Sequence, residues 1–369
     1  MRSNPGIISL KINKGITLMK PTVKSIAQKL GVSPSAVSFA INGKSGISEE
    51  TRQRILAELE KCGYKKKKSV PSIKRHIRYV VFHNNEHVVQ ETNFSSLVLK
   101  GIEDVASEYG CEVVITYFDA SKDWNSQLEI MIRDTAGFIV LATDIRDEHI
   151  LKALSCPAIK SLHQPVVLVD NATTLVDADC VVTGNLDGAY KAVSYLFSLG
   201  HPDVGYLRSV ERIDNFDERQ AGYEKARHAA NLPDDKVPCI INVGISSEQA
   251  FADMNKWLDD GNVPPSALFA ENDFIALSAM RALKAHGYSI PEDISIIGFD
   301  DMPFSSMSEP PLTTVCINKD QIGHLAVNFL LEKITQNEMY APKYDFSPVR
   351  ATVSAKLVLR ETTAAFNKK

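Results

Sequence analysis

Four consecutive lysines, Lys65–Lys68, and the step Ser33-Pro34-Ser35 are where residue type and spacing carry chemistry most plainly. The lysine run suits phosphate neutralisation with counterion release; a solvated flexible linker is the other reading of the same run. Ser33 and Pro34 together make a helix start: a capping hydroxyl, then proline at the first helical position. Residues 1–78 hold 17 Lys+Arg against 4 Asp+Glu, whereas residues 79–369 hold 24 against 41. A small basic head on a large acidic body is the footprint of a nucleic-acid reader joined to something else. A basic disordered tail would have the same charge, so the elements of the head must decide.

Other chemistry finds little support. The chain has no Gly-rich phosphate loop ending in Lys-Ser/Thr, no G-x-S-x-G and no H-E-x-x-H. Nine histidines are scattered without ligand spacing, and His201 in Gly-His-Pro reads as structural. The six cysteines stand apart with no C-x-x-C pair, which suggests neither zinc nor a redox motif and fits a reducing cytoplasm. No apolar run is long enough to cross a bilayer, and Met1–Lys20 lacks a signal-peptide core. The expectation is no enzyme, no cofactor, no metal and no membrane partner.

The elements that would position the head chemistry are short helices. Thr22 caps Val23–Leu30, with Val23, Ile26, Ala27 and Leu30 on one face; Gly31 supplies the turn. A second helix runs from Pro34 to about Ala40, with Ala36, Val37 and Ala40 inward, and ends at Asn42-Gly43. Ser48 caps a third, with Ile55, Leu56 and Leu59 continuing its apolar face to Cys62. Two short helices across a Gly-containing turn, plus a third, make a helix-turn-helix whose second helix enters the major groove.

From Ile77 the chain alternates short apolar runs with helical stretches. Ile77–Phe82, Glu112–Phe118, Gly137–Leu141, Val166–Val169, Val204–Leu207, Ala267–Ala270 and Ile294–Phe299 read as buried strands. Helices are expected over Gly101–Tyr109, Asp187–Leu199, Glu218–Ala230, Gln249–Leu258, Phe274–Ala285 and Gln321–Thr335, and a last strand from Lys356. Such alternation implies α/β lobes with parallel sheets, and two facing lobes make a ligand cleft beyond the strand ends.

The run from Thr22 to Asn42, then Ile47-Ser-Glu-Glu-Thr-Arg52 and Gly63-Tyr64, resembles the head of the lactose-repressor (LacI) family. That resemblance implies base reading by Pro34, Ser35 and Phe39. Pro34 has no donor and Phe39 offers only apolar contact, so Ser35 carries the hydrogen-bonded readout. Thr22, Ser33, Ser38, Asn42 and Lys44 are placed on phosphates, with Lys65, Lys66, Lys67 and Lys68. The family's hinge helix and leucine wedge are disfavoured here. Pro71 stands where an arginine is expected, and Ile73 is the nearest match to the leucine.

The body is similar to a type I periplasmic-binding-protein fold. It matches at Val182–Ala189, Leu199–Tyr206, Glu218–Tyr223, Ala270–Ala276, Ile297–Asp301 and Pro311–Val315. The resemblance implies effector contacts at Asn93, Phe94, Asp170, Arg219, Ile245, Asn272 and Asp300, a donor and acceptor set suited to vicinal hydroxyls or a polar heterocycle. Arg219 with Asp300 also fits a structural ion pair, Phe94 fits plain core, and Arg212 and Asp214 fit the cleft rim or, as the favoured reading, a solvated loop. The expected organisation is a disordered extension over 1–19, a helix-turn-helix over 20–64, a basic linker or hinge over 65–77, and a two-lobed effector-binding and dimerisation domain over 78–369. A cytoplasmic homodimer is implied that binds operator DNA on the nucleoid and a sugar or sugar-derived effector, as a repressor of carbohydrate-uptake or catabolic genes. Control by a protein co-regulator or non-sugar ligand, and a solute-binding receptor, are the alternatives.

Two substitutions separate the roles in the head. Ser35→Ala should lower discrimination at one operator position by roughly 1 kcal/mol or more, while Lys44→Ala weakens all sequences about equally. Replacing Lys65–Lys68 together by alanine should reduce the salt slope of log K by up to about 3–4. Binding isotherms on a substituted operator set at several salt concentrations check both.

Overall fold

The computed structural model describes residues 23–33, 36–37, 40, 46–62, 76–84, 94–233, 237–340 and 347–367. The chain divides into two units, Met1–Pro71 and Ser72–Lys369. In the first, α1 spans Val23–Leu30 and α2 spans Glu49–Lys61, with Ala36, Val37 and Ala40 also helical. Two of the three expected caps are in place: Ser33 Oγ accepts from the Ala36 N–H at 3.1 Å, and Ser48 Oγ from the Thr51 N–H at 3.2 Å, while Thr22 lies outside the described residues. Gly31 turns with φ 68 between the first helices. Ile26, Ala27, Val37, Ala40, Ile55 and Leu59 close a small core. Leu56, expected on that apolar face, points outward at 40% exposed, because Ile55 and Leu59 already fill the spacing that faces α1.

The second unit holds two lobes. In the first, β1 (His76–His83), β2 (Glu112–Asp119), β3 (Thr135–Leu141), β4 (Val166–Asp170) and β5 (Asp179–Thr183) pair in parallel. Their helices are α3 (Phe94–Glu108), α4 (Trp124–Ile132), α5 (Asp147–Ser155) and α6 (Pro157–Lys160). β1 starts at His76, inside the stretch read as linker, since His76 and Ile77 already pair with β2. The second lobe has α7 (Asn185–Ser198), β6 (Gly205–Ser209), α8 (Asp214–Ala229), β7 (Ile240–Val243), α9 (Ser247–Asp259), β8 (Ala267–Ala270), α10 (Asp273–Ala285), β9 (Ser295–Asp300) and β10 (Thr314–Cys316). The chain then returns through α11 (Lys319–Tyr340) and β11 (Arg350–Val353) to the first lobe, and by β12 (Lys356–Val358) to the second.

Strand order is β2-β1-β3-β4-β5-β11 in one sheet and β7-β6-β8-β9-β10-β12 in the other. The two orders are the same pattern, each stepping outward once and then reversing across its first strand. Among the described residues, only β12 runs antiparallel, against β10. The expected strand from Lys356 stops at Val358, where Arg360 turns its guanidinium onto Asp301 and the Leu312 carbonyl. Three passages link the lobes, after β5, after β10 and between β11 and β12. Gly184 sits at the first, its N–H donating to the Val353 carbonyl at 3.0 Å and so joining two of the passages.

α3 and α11 lie against the first sheet in close backbone contact. A Cβ at Gly101 would stand 2.3 Å from the Asp320 carbonyl, and one at Gly323 would stand 2.4 Å from that of Val98. Gly101→Ala gains about 1 kcal/mol of helix propensity but must push two helix backbones apart. A net loss of about 1–3 kcal/mol is therefore expected. Thermal and denaturant unfolding check this, and a variant as stable as the parent would show that the helices can separate freely.

Candidate functional site

β4 and β9 hold equivalent positions in the two sheets, and each ends in a buried aspartate. Asp170 has φ 73 and Asp300 has φ 102. A left-handed residue other than glycine costs on the order of 1–3 kcal/mol and persists only where its surroundings demand it. The Asp170 carboxylate is held from both lobes. Asp170 Oδ2 accepts from Thr143 Oγ1 at 2.7 Å and, across the cleft, from Asn215 Nδ2 at 2.8 Å. Burial raises the Asp170 carboxyl above the ordinary aspartate range, against the Thr143 hydrogen bond. Its Oδ1 is buried with no hydrogen-bond partner among the described residues.

Arg219, in the second turn of α8, occupies the middle. Its Nε donates to Asn185 Oδ1 at 2.9 Å, Nη1 to the Glu271 carbonyl at 2.5 Å and Nη2 to Asp300 Oδ1 at 2.9 Å. The guanidinium lies 3.9 Å from the centre of the Phe299 ring. Asn272 caps α10, its Oδ1 accepting from the Ile275 N–H at 2.8 Å. Next to it, burial lifts Asp273 to about 7, although the Ser305 and Thr314 hydroxyls and the Met302 N–H all donate to it.

Thr143, Asp170, Asn215, Arg219, Asn272 and Asp300 line a space of about 30 Å³ between the lobes, together with Phe94, Leu141, Ile213 and Phe216. That is room for about one water. The lobes are held shut above it. Asn171 Nδ2 of the first lobe donates to Asp214 Oδ2 of the second at 2.8 Å, and Arg146 Nη2 donates to the Arg212 carbonyl.

Of the residues named from sequence, Phe94, Asp170, Arg219, Asn272 and Asp300 meet at this pocket. Ile245 is not on its wall; it packs behind Ile213 and Phe216. Arg212 and Asp214 are not a solvated loop. Arg212 reaches Glu271 at 2.5 Å and Asp217 at 2.7 Å, and Asp214 opens α8 and ties the lobes, because both face polar groups of elements distant in sequence. Sequence reading passed over Thr143, Ile213, Asn215 and Phe216; the first follows β3 as Asn272 follows β8, a correspondence visible only in the sheets. His201 is buried and bonded to Ser266 Oγ and the Ala364 carbonyl, as a structural residue. Ser33 is in place as a cap. Thr22, Pro34, Ser35, Ser38, Phe39, Asn42, Lys44, Lys65–Lys68, Ile73 and Asn93 lie outside the described residues. Among the described residues, no cluster of His, Cys, Asp and Glu could hold a metal ion, and no helix is long and apolar enough to cross a membrane.

Comparison with known proteins adds two matches of family type. Residues 22–67 match bacterial regulatory proteins of the lacI family, and residues 193–363 match a periplasmic-binding-protein-like domain. The chain is 29% identical over 319 residues to the HTH-type transcriptional regulator DegA of Bacillus subtilis, covering 83% of this chain and 89% of that one. It is 27% identical over 335 residues to the HTH-type transcriptional repressor PurR of Mannheimia succiniciproducens, covering 89% and 96%. In fold it is similar to the transcriptional regulator CelR in its cellobiose complex, with TM-score 0.64, 24% identity and coverage of 93% and 99%. It is also similar to the lac repressor dimer bound to operator and the anti-inducer ONPF, with TM-score 0.63, 22% identity and coverage of 94% and 99%.

The buried carboxyl of Asp273 sets a pH dependence. Its folded value lies above the ordinary aspartate value of 3.8, so the folded state holds a proton that the unfolded state releases. The stability it contributes is full below about 4, falls as pH rises, and is lost above about 7. Asp273→Asn should flatten that part of the stability profile. Denaturant unfolding of both proteins from pH 4 to 8 checks it; parallel profiles would mean that Asp273 is ionised throughout.

Proposed function

The chain belongs to the LacI family of transcriptional regulators, and we propose that it is an effector-responsive repressor whose interlobe cleft takes a small polyhydroxylated ligand. Two such chains pair and present two recognition helices to a pseudo-palindromic operator. The setting that fits is cytoplasmic, on the nucleoid, and the genes are those of carbohydrate uptake or catabolism.

One observation carries the reading of the cleft. The aspartates ending equivalent strands of the two lobes and a single guanidinium line one interlobe pocket, and Asp170 Oδ1 stands there as a buried acceptor. A hydroxyl-bearing ligand supplies the donor that Asp170 Oδ1 lacks among the described residues. It also competes with Asp300 and Asn185 for the fork of Arg219, and lays an apolar face on Phe216 or Phe94. Asn93, Asn272 and Asp300 complete the contacts, with Ile245 acting through Phe216. A sugar does not fit about 30 Å³, so the lobes must part to admit it, breaking the bonds of Asn171 to Asp214 and of Asn215 to Asp170. The ligand thereby acts on lobe spacing, and effector and operator affinities are linked reciprocally. Cellobiose and ribose are bound in the structures of two proteins of similar fold, which supports a sugar over a protein co-regulator.

A thermal-shift screen of sugars, sugar phosphates and nucleobases tests this, since a ligand at a hundred times its Kd adds about 2.7 kcal/mol of apparent stability. Arg219→Ala should abolish the shift and the effector response while leaving effector-free operator binding intact. Removing one partner of a buried pair costs about 3–5 kcal/mol, so Arg219→Lys, which keeps the charge but not the fork, and Asp300→Asn serve beside it. Normal ligand binding in Arg219→Lys and Asp300→Asn would move the site out of the cleft.

A further inference from the structure

Away from the cleft, the first lobe contains a second cavity of about 170 Å³, between the sheet and the layer made by α4, α5 and α6. Its walls include Phe82, Phe118, Trp124, Met131, Phe138 and His149. The polar atoms of these walls are engaged elsewhere. Trp124 Nε1 donates to the Ala120 carbonyl at 2.9 Å; His149 Nδ1 accepts from the Arg146 N–H at 3.0 Å, and its Nε2 lies 3.4 Å from Asn84 Nδ2. A water inside would find no partner on these walls, and an apolar space of about this size admits a benzene-sized molecule. The aromatic walls are set for edge contacts, with Phe82 and Phe118 stacked at 5.8 Å and Trp124 edge-on to Phe118 at 4.9 Å.

We propose that this carbon-lined cavity is a second ligand site, taking a compact apolar or aromatic molecule of benzene to indole size, separate from the polar cleft. Its ceiling is tied to lobe closure. α5 is preceded by Ile145 and Arg146; the Ile145 carbonyl accepts from Asn171 Nδ2, and Arg146 reaches the Arg212 carbonyl of the other lobe. A ligand that lifts α5 therefore disturbs two of the bonds that hold the cleft shut. This coupling rests on the reading of the cleft given above; the existence of the site does not.

The full-length chain is labelled with fluorotryptophan and titrated with benzene. It has two tryptophans, Trp124 in the cavity wall and Trp257 in the other lobe, which is the internal control. Fluorine NMR, assigned with Trp124→Phe, should show a saturable shift of the Trp124 resonance alone. Ala153→Met extends a side chain into the cavity and should weaken benzene about tenfold or more. Should that variant not fold, Leu128→Ala widens the same space and should favour indole over benzene. A shift that rises linearly without saturating, that moves Trp257 equally, or that neither wall variant alters overturns the site. Operator affinity with and without saturating benzene, in the parent and in Arg146→Ala, reads the coupling. A change in the parent that vanishes in Arg146→Ala supports it, and no change with the spectroscopic site intact removes the coupling alone.

Discussion

The buried guanidinium of Arg219 is the constraint around which the body is arranged. An unpaired charge at 4% exposure would cost several kcal/mol, so its donors must be met. They are met by Asp300 at the end of β9, by the Glu271 carbonyl at the end of β8 and by Asn185 at the start of α7. One side chain thereby fixes three strand and helix ends that come from separate stretches of chain. Across the cleft, Asp170 of the facing lobe accepts from Asn215, which shares a helix with Arg219, and completes the polar lining around it.

Why this happens at strand ends follows from topology. In both sheets the chain reverses direction of travel across its first strand, and open parallel sheets present their loops and ligand sites beyond the carboxyl ends at such a point. Two lobes with the same strand order, set face to face, bring two such edges together. Asp170 and Asp300, Thr143 and Asn272 are then paired positions of one design used twice. The passages at Gly184, after β10 and between β11 and β12 are the covalent links between the two lobes.

Two of the cavities of the body differ in polarity. In the cleft Thr143, Asp170, Asn215, Arg219, Asn272 and Asp300 stand beside four apolar residues, so occupancy is decided in part by hydrogen bonding. In the first lobe the wall is carbon, so occupancy is decided by size and by dispersion contacts. Ile145 and Arg146 belong to both settings, since they lead into the helix that covers one cavity and hold the latch that closes the other.

The sequence alone determined the local events. Ser33 and Ser48 capped the helices they were expected to cap, Gly31 turned, and the continuous apolar runs became parallel strands, because caps, turns and periodicity act within a few residues. Resemblance carried Arg219, Asp170, Asn272 and Asp300 to their positions. What it could not decide were matters of partner. β11 is a strand because Asp179 and β5 receive it from about 170 residues away, and Arg-Ala-Thr-Val has no strong pattern of its own. Arg212 and Asp214 read as a solvated loop, since a polar stretch reads the same whether water or another lobe faces it. Leu56 turns outward for a like reason, an apolar side chain having no local signal for which side of it is filled first. Only the tertiary structure decided these, because burial belongs to pairs of surfaces and not to a residue.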